Sequence, residues 1–524
     1  MRIAPLVGAV SAALAVSVAA PAAAEDYNTV QSFDGTPITF YWFPAIGLAD
    51  GQTAPTVLQG PGFGGKAQSD PDAKSSSSIP GVGDLRRAGY NVLTWNPRGI
   101  SPSGGEAQLN NPDFEGRDVS ALLTWVSQQP QAQLDAAGDP RVGMTGGSYG
   151  GGIQFSTAGI DPRVDAIVPV IAWNSLQTSL YKAQTIKSSW VNALLVGATR
   201  PGNTFSSSIL KGREQARKGT TFSKEVVDFA RAAGPDRVLA NITAPTLILQ
   251  GTIDNLFPPS EAVANYKALR RAGVTTKMVW FCGGHGVCLT DGGDSRLPLE
   301  QTWLWLAKYL KGDTSVDTGP AFTWIDQRGR FRSAADYPVA SSRISARGKG
   351  ELRLKDKGGS GPYTGKLPSS ISPTFSLVLR PTIPAPAKNA VSVGIKAKKA
   401  AVVVGAPKLH LSYKGTPKNK KVRVLAQLVD PKTKTVVGNQ IKFQLYDLAK
   451  GSKPVLSKGF PSGDTRKAVE LVETKVLPYF DFAHMTRLAV GKDWRQASPD
   501  QKAALTHEFK TLLVRTYSNA LTQY

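Results

Sequence analysis

The sequence predicts an α/β domain with a mostly parallel sheet, then an all-β sandwich domain, and finally a short helical C-terminal segment. Strand-like runs alternate with helical periodicity over residues 25–315, which is typical of a parallel sheet covered on both faces. Period-two patterns separated by Gly, Pro, Lys and Ser clusters follow over residues 320–450 and favour a sandwich. Helical periodicity returns over residues 464–524.

Within the α/β segment, two alternating runs around Asp34-Gly35 predict a β-hairpin between Tyr27 and Phe43. Further strands are predicted at Pro55–Gln59, Asn91–Trp95, Arg141–Thr145, Val164–Ile171, Pro245–Gly251 and Thr276–Phe281. Helices are predicted at Gly116–Gln129, directly after Ser148, at Ser260–Ala272 and at Pro298–Lys311. Because residues 173–239 are helical in pattern without a strand, they predict a helical cap over the carboxyl ends of the strands.

The later segments have their own patterns. Sandwich strands are predicted at Leu352–Lys355, Phe375–Arg380, Val391–Ile395, Leu409–Tyr413, Val422–Val429 and Ile441–Tyr446. Ser498 is a helix-capping residue type followed by Pro499 at the first helical position. An apolar stripe at helical spacing follows: Leu505, Phe509, Leu512, Leu513 and Tyr517.

Length and charge support several domains. The chain has 524 residues and a net charge of +23, and its length indicates two or three domains. Residues 316–463 hold 27 Lys and Arg against 7 Asp and Glu, so nearly all of the excess charge lies there. A basic surface of this kind predicts loose association with an anionic cell envelope. Because no aromatic residues are interleaved with the basic ones in a nucleic-acid pattern, nucleic-acid binding is not expected.

The first 24 residues predict a secretory signal peptide. Arg2 precedes an apolar, Ala-rich stretch that ends in Ala22-Ala23-Ala24 before Glu25, which is typical of a cleavage site. The alternative is a transmembrane anchor. A signal peptide predicts a secreted or extracytoplasmic protein.

The chain has two cysteines, Cys282 and Cys288, and export would place them in an oxidising environment. In an oxidising compartment they are expected to form a disulfide, although a pair of free buried thiols is the alternative. Two cysteines alone do not make a zinc site, and no metal or cofactor is expected.

The candidate nucleophile is Ser148, in the run Gly146-Gly147-Ser148-Tyr149-Gly150. This G-x-S-x-G run comes directly after a predicted strand and before a helix, and small residues permit the sharp turn that exposes the hydroxyl. A serine hydroxyl needs an adjacent base and a group that orients the base. We therefore expect Ser148 to be the nucleophile of a catalytic triad.

The base and the acid follow from position. Of the four histidines, only His285 lies in the α/β segment, in a glycine-flanked loop after the strand that ends at Phe281. Asp254 follows a buried strand and precedes His285, as the Ser–Asp–His order of an α/β-hydrolase requires; its alternative role is to cap the next helix. Asp291 and Asp294 come after the histidine and break that order. Because Cys282 and Cys288 bracket His285, their disulfide would fix the loop that delivers the imidazole.

The oxyanion hole needs backbone N–H donors. Tyr149, the residue after the nucleophile, is the first candidate. The second comes from residues 60–65, Gly-Pro-Gly-Phe-Gly-Gly, where Pro61 has no N–H. We expect Phe63 to be this donor, with Gly62 as the alternative.

These residues resemble the Xaa-Pro dipeptidyl-peptidase and cocaine-esterase-like branch of the α/β-hydrolases. The resemblance covers residues 27–315 and is carried by residues 95–99, Trp-Asn-Pro-Arg-Gly; by 139–151 around Ser148; by 161–166; and by 250–258 around Asp254. It implies an α/β-hydrolase fold with the triad Ser148, Asp254 and His285, and cleavage of a small-molecule ester or a peptide. The cap shows no acidic pair that would bind a substrate amino terminus, so general ester or amide hydrolysis stays open.

The C-terminal segment resembles a different family. Residues 470–478, Asp481-Phe482, Leu488–Gly491 and Trp494-Arg495 are similar to the periplasmic phospholipid-shuttle proteins of the Mla system, also called the toluene-tolerance family. The resemblance covers the early part of that family's domain, and a truncated fusion is the alternative to a working module. The leading hypothesis for the whole chain is a secreted serine hydrolase. The competing one is an envelope-associated protein that binds phospholipid or polymer through its basic β domain and helical tail.

Overall fold

The computed structural model describes residues 27–219, 221–339, 344–351, 363–367, 383–399, 401–405, 407, 409, 423–444, 498–506 and 508. The predicted signal peptide therefore lies outside the described residues, as do the predicted strands at Leu352–Lys355 and Phe375–Arg380 and most of Leu409–Tyr413. In the part of the chain that is described, no helix is long and apolar enough to cross a membrane.

Ten strands form one twisted, mixed sheet. Its strands are β1 Asn28–Gln31, β2 Pro37–Phe43, β3 Thr56–Gln59, β4 Asn91–Trp95, β7 Val142–Gly147, β8 Val164–Val170, β9 Thr246–Gly251, β10 Thr276–Phe281, β11 Phe322–Ile325 and β12 Phe331–Ala334; two short strands, β5 Leu134–Ala136 and β6 Asp139–Pro140, pair separately. The order across the sheet is β1-β2-β4-β3-β7-β8-β9-β10-β11-β12. The strands from β4 to β11 run parallel, and the strands at each margin are antiparallel. This α/β-hydrolase-like sheet matches the predicted fold class.

Helices connect the strands. They are α1 Val82–Arg87, α2 Arg117–Val126, α3 Tyr149–Ala158, α4 Leu176–Leu180, α5 Ser188–Ala198, α6 Ser207–Arg217, α7 Lys224–Ala232, α8 Pro259–Arg271 and α9 Leu297–Tyr309; a π-helical turn covers Pro112–Gly116, and 3₁₀ turns cover Lys182–Gln184, Pro235–Arg237 and Leu239–Asn241. Four of the helices, α4 to α7, lie between β8 and β9, in the segment predicted to form a cap. We call this segment the cap.

The sheet is buried on both faces. Neighbouring residues of one strand belong to different core clusters: Leu58 lies in one cluster and Val57 in the other, and Leu93 and Val92 are divided in the same way. Side chains alternate between the faces of a strand, so the two clusters lie on opposite sides of the sheet. Near-continuous burial explains why these strands appear in the sequence as apolar runs.

Strands β11 and β12 show that the main sheet extends beyond residue 320, where the sandwich domain was predicted to begin. Strand β11 pairs in parallel with β10, and β12 pairs with β11, so both extend the main sheet. The reason is apolar burial: Phe322, Trp324 and Ile325 are buried, and the Phe322 ring meets Trp280 of β10. The rise in basic charge after residue 316 is therefore not a structural boundary.

The β-sandwich itself is not clearly formed in the described residues. An antiparallel hairpin of β13 Arg423–Asp430 and β14 Thr435–Gln444 agrees with two of the predicted strands. The strand predicted at Val391–Ile395 is wrong: these residues form neither helix nor strand. Their alternate apolar side chains are at least 41% exposed, so the alternation does not produce a buried face.

The described C-terminal residues belong to a separate compact unit. Residues 499–506 are helical. The Ser498 hydroxyl accepts a hydrogen bond from the backbone N–H of Gln501 (3.2 Å), and the Gln501 side chain accepts one from the Ser498 N–H (2.9 Å). This reciprocal pair is a capping box, and it confirms the predicted helix start.

Candidate active site

Ser148 occupies the sharp turn between β7 and α3. Its backbone angles are φ 56° and ψ −111°, an unfavourable region for a residue other than glycine. The Ser148 N–H donates to the carbonyl of Val170 in β8 (2.9 Å), which attaches the turn to the neighbouring strand. Strain of about 1–3 kcal/mol at such a residue persists only where the surroundings enforce it, so the fold holds this serine in place.

The glycines around Ser148 allow backbone to pack on backbone. A Cβ on Gly150 would lie 2.1 Å from the carbonyl oxygen of Gly60, in the loop after β3, and a Cβ on Gly146 would lie 2.8 Å from the same oxygen. Any side chain at these positions would push the two loops apart. The G-x-S-x-G pattern is therefore a steric requirement of this turn.

The imidazole of His285 lies between Ser148 and Asp254. Its Nε2 is 2.8 Å from the Ser148 Oγ, and its Nδ1 is 2.7 Å from the Asp254 Oδ2. The His285 side chain is 13% exposed, whereas Asp254 is fully buried. With the proton on Nδ1, Nε2 can accept the serine proton.

Asp254 is held by backbone donors as well as by the histidine. Its Oδ1 accepts from the N–H groups of Leu256 (3.0 Å) and Phe257 (2.8 Å), and its Oδ2 accepts from the His285 N–H (3.1 Å). Three backbone N–H groups thus donate to this carboxylate. Because these donors hold the carboxylate in place, it can fix the orientation of the ring to which it is bonded.

The carboxyl ends of three strands bring the triad residues together. Ser148 follows β7, Asp254 follows β9 and His285 follows β10. The histidine loop approaches the acid closely: a Cβ on Gly284 (φ 103°) would lie 2.7 Å from the Asp254 Oδ2, and one on Gly286 would lie 1.9 Å from the Ile253 carbonyl oxygen. The glycines that flank His285 permit this approach.

A disulfide joins Cys282 to Cys288, as predicted. The two cysteines are six positions apart and enclose His285. The covalent link limits how far the loop can move away from Ser148. Its effect on activity stays a prediction.

The expected oxyanion donors lie at the start of α3 and in the loop after β3. Helix α3 begins at Tyr149, so the Tyr149 N–H has no partner carbonyl within the helix. The Phe63 ring packs against the Tyr149 ring, with 5.3 Å between centroids, and the Gly65 N–H closes a turn onto the Gly62 carbonyl. The structure thus brings Phe63 to Tyr149, while the donor roles of Tyr149, Phe63 and Gly62 stay predictions.

Family comparison agrees with this geometry. Residues 38–287 match the family model described as X-Pro dipeptidyl-peptidase (S15 family). This region is an S15-family hydrolase. Residues 455–524 match a second model, described as MlaC protein.

Curated relatives of the chain are distant. An uncharacterized 31.7 kDa protein of the traX-finO intergenic region of Escherichia coli is 25% identical over 202 residues, which cover 35% of this chain and 68% of that protein. The uncharacterized peptidase YuxL of Bacillus subtilis is 28% identical over 202 residues, covering 38% of this chain and 26% of that one.

The matching solved structures are distant in sequence. A CocE/NonD family hydrolase from Staphylococcus aureus has 16% identity and a TM-score of 0.46, over 64% of this chain and 60% of that one. An aminopeptidase from a marine-sediment Thaumarchaeota archaeon has 15% identity and a TM-score of 0.46, over 68% and 69%.

The cap contacts the S15-family site directly, through residues that the sequence analysis did not single out. The Lys187 Nζ donates to the carbonyls of Asn255 (2.8 Å) and Leu256 (2.9 Å), next to the acid. The Trp190 indole N–H donates to the Asn255 side chain (3.1 Å), and its ring meets His285 edge-on at 5.9 Å. No local pattern marks these residues, because their partners are more than 60 positions away in sequence.

An apolar cluster lies beside the candidate site. Tyr149, Trp173 and Phe257 form a buried cluster, against which Phe63 and Leu194 pack while partly exposed. Among the described residues, His, Cys, Asp and Glu side chains form no group of three that could hold a metal ion.

Proposed function

We propose that the S15-family region cleaves ester or amide bonds through an acyl-enzyme on Ser148. The observation that carries the proposal is the continuous hydrogen-bonded row from the Ser148 Oγ through both nitrogens of His285 to Asp254, at 2.8 and 2.7 Å. Positive φ at the serine, where the fold presents its hydroxyl to the imidazole, is a second and independent support.

The geometry defines the role of each group in this proposal. His285 Nε2 takes the proton from the Ser148 hydroxyl as the oxygen attacks the carbonyl carbon, and the carbonyl oxygen becomes an oxyanion. The same nitrogen then gives its proton to the leaving alcohol or amine. Water repeats the sequence on the acyl-enzyme and releases the acid. Asp254 keeps the Nδ1 proton in place and stabilises the imidazolium.

The oxyanion would be bound by backbone N–H groups. Tyr149 supplies one as the first residue of α3, and the positive end of the helix dipole adds to its effect. Phe63 or Gly62 supplies the other from the loop after β3. Removing one donor of this kind lowers kcat by about 10²–10³ in well-studied cases.

Charge in the cap favours a substrate without a free amino terminus. A carboxylate is the strongest hydrogen-bond acceptor that a protein offers to an ammonium group. Glu214, Glu225 and Asp228 pair with lysines on the cap surface, and Asp236 accepts hydrogen bonds from backbone N–H groups of its own turn. The cap's four carboxylates are thus engaged, and the partly exposed side chains that pack on the cluster containing Tyr149 are apolar. We infer that neutral acyl esters or amides are better substrates than peptides with a free N-terminal Xaa-Pro.

Labelling and a substrate panel test this proposal. A fluorophosphonate should label the purified chain, and Ser148→Ala should abolish both labelling and turnover, whereas Ser127→Ala, a matched change on the surface of the same domain, should retain both. The panel compares p-nitrophenyl esters of short and long acids with Xaa-Pro anilides. Exclusive cleavage of the anilides would overturn the preference for neutral acyl groups, and an unlabelled, folded wild-type chain would overturn the enzymatic proposal.

The match of residues 455–524 to the MlaC model favours a second candidate function, binding of phospholipid at the cell envelope. The basic residues of 316–463 would add attraction to anionic surfaces, and the proposed export would place the protein there. Flotation with anionic and neutral vesicles tests this candidate. Salt-sensitive binding to anionic vesicles supports it, and equal absence from both contradicts it.

A further inference from the structure

A buried acid lies behind the nucleophile turn. Glu115 belongs to the π-helical turn Pro112–Gly116 and is 2% exposed. Its Oε1 accepts from the Tyr149 hydroxyl (3.1 Å) and from the Gln108 N–H (2.5 Å), and its Oε2 accepts from the Asn111 N–H (3.0 Å). A small cavity with room for one water molecule, about 10 Å³, lies beside Glu115 and Tyr149. The triad does not use this acid.

The loop that Glu115 holds is strained. Leu109 and Asn110 have φ values of 59° and 60°, in the left-handed region that favours glycine. Each such residue costs on the order of 1 kcal/mol or more, although asparagine tolerates the conformation better than most. Because Glu115 binds the backbone on both sides of this pair, it stabilises a conformation that the chain would otherwise leave.

The strained loop forms hydrogen bonds with Tyr149. The Asn110 side chain donates to the Tyr149 carbonyl (2.6 Å), and the Asn110 N–H donates to the Tyr149 hydroxyl (3.2 Å). The Asn110 carbonyl in turn accepts from the Ser156 hydroxyl of α3 (2.7 Å). Tyr149 is therefore held at its main chain and at the tip of its ring.

We propose that Glu115 and Asn110 are positioning residues that clamp Tyr149, so that its backbone N–H is fixed at the place where the oxyanion forms. The inference rests on the proposed function, in which Tyr149 is an oxyanion donor. Electrostatic stabilisation depends on donors that are already in place when charge develops. A shift of about 1 Å in such a group can cost about 10²-fold in rate.

Charge around the acid makes the clamp sensitive to pH. Burial raises the pKa of Glu115 to about 7; the Gln108 N–H lowers it, Asp118 on α2 raises it and Arg98 lowers it. The Tyr149 hydroxyl keeps its proton because burial raises its pKa well above the ordinary value. When ionised, Glu115 accepts all three donors, whereas a protonated carboxyl must donate from one oxygen. The clamp is therefore complete above about pH 7.

The same pKa shift predicts a dependence of stability on pH. The unfolded chain releases the Glu115 proton near its ordinary pKa of 4.5, whereas the folded chain retains it up to about 7. Between these values the folded state binds more protons, so the contribution of Glu115 to the free energy of unfolding falls as pH rises. Glu115→Gln removes this contribution.

Two conservative variants test the clamp without deleting the backbone donor. Tyr149→Phe removes only the hydroxyl that links Glu115 to α3, and Glu115→Gln keeps the shape of the acid. The control is Tyr266→Phe on α8, outside the site. It removes a hydroxyl that donates to the Asp336 carboxylate (2.5 Å). We measure kcat and KM on a p-nitrophenyl ester, inhibition by a trifluoromethyl ketone that forms a tetrahedral adduct, and the pH profile of kcat.

The clamp predicts that kcat falls by about tenfold in both variants, within the loss expected for a misplaced donor, while KM stays within about twofold. Inhibition by the ketone should weaken in proportion, and Glu115→Gln should remove one ionisation near pH 7 from the profile. Tyr266→Phe should change kcat by less than twofold. If Glu115→Gln does not fold, Tyr149→Phe decides alone.

Two negative results are distinguishable. Wild-type chain that is not labelled by a fluorophosphonate contradicts the proposed function. Wild-type chain that is labelled and active, together with a folded Tyr149→Phe variant whose kcat and ketone inhibition are unchanged, overturns the clamp alone.

Discussion

Asp254→Asn changes one atom of the triad and leaves its size unchanged. In the structure, both oxygens of Asp254 accept from N–H donors: Oδ1 from Leu256 and Phe257, and Oδ2 from the main chain and ring of His285. An asparagine must turn its NH₂ group toward one of these two donor pairs. Either it meets two backbone N–H groups, or it meets the His285 main-chain N–H and drives the ring into the tautomer with the proton on Nε2.

The two orientations have different costs. Against the backbone donors, the amide leaves buried polar groups unpaired, which lowers the free energy of unfolding by about 1–3 kcal/mol. Against the imidazole, it removes the acceptor for the Nδ1 proton, and in the Ser-His-Asp template this change lowers kcat by about 10⁴. Since the side chain is fully buried, water cannot replace the lost acceptor. We expect a loss of kcat near the template value and a fall in thermal stability.

The assay compares wild type, Asp254→Asn and a control, Asp161→Asn, on a p-nitrophenyl ester, with the unfolding temperature recorded for each. Asp161 is a buried aspartate that pairs with Arg163 away from Ser148, so its variant should lose stability and keep kcat within a few-fold. A folded Asp254→Asn variant that retains more than a tenth of the wild-type kcat would refute the role assigned to this carboxylate.

Other predictions concern the turn, the cap and the disulfide. Gly150→Ala should unfold or abolish labelling of the serine, because its Cβ would lie 2.1 Å from the Gly60 carbonyl oxygen and overpacking costs about 1–3 kcal/mol or more; a soluble, fully active variant would contradict the steric argument. Lys187→Met should raise KM several-fold with a smaller change in kcat, because it releases the cap from two carbonyls beside the acid; steady-state kinetics that leave KM unchanged would oppose it. Reduction of the Cys282–Cys288 disulfide should lower kcat, because it frees the loop that carries His285. Closing a loop this short contributes about 2–3 kcal/mol of stability in the chain-entropy model. Turnover that stays constant while two thiols become titratable would contradict the positioning role.

The sheet and the position of the triad could be predicted because they depend on local patterns. Buried parallel strands appear as apolar runs, and side chains that follow such strands meet at the carboxyl edge. His285 was identifiable because it is the single histidine of that segment among four in the chain. Burial of Asp254 and its hydrogen bonds could not be predicted, because they depend on how the loops pack.

The contacts that Glu115 and the cap make with the candidate site could not be inferred from the sequence. Glu115 lies just before the helix predicted at Gly116–Gln129, and its role depends on its contact with Tyr149, 34 positions later. The rise in basic charge after residue 316 predicts a domain boundary there, although charge does not determine strand pairing. The pairing of β11 with β10 instead depends on the burial of the apolar side chains of Phe322 and Trp324.

Identification of the residue that a fluorophosphonate modifies tests the central claim most directly. The chain is labelled, digested and analysed by mass spectrometry, with an unlabelled sample alongside. We expect one adduct, on the peptide that contains Ser148. An adduct on another serine, or none in folded protein, would contradict Ser148 as the nucleophile.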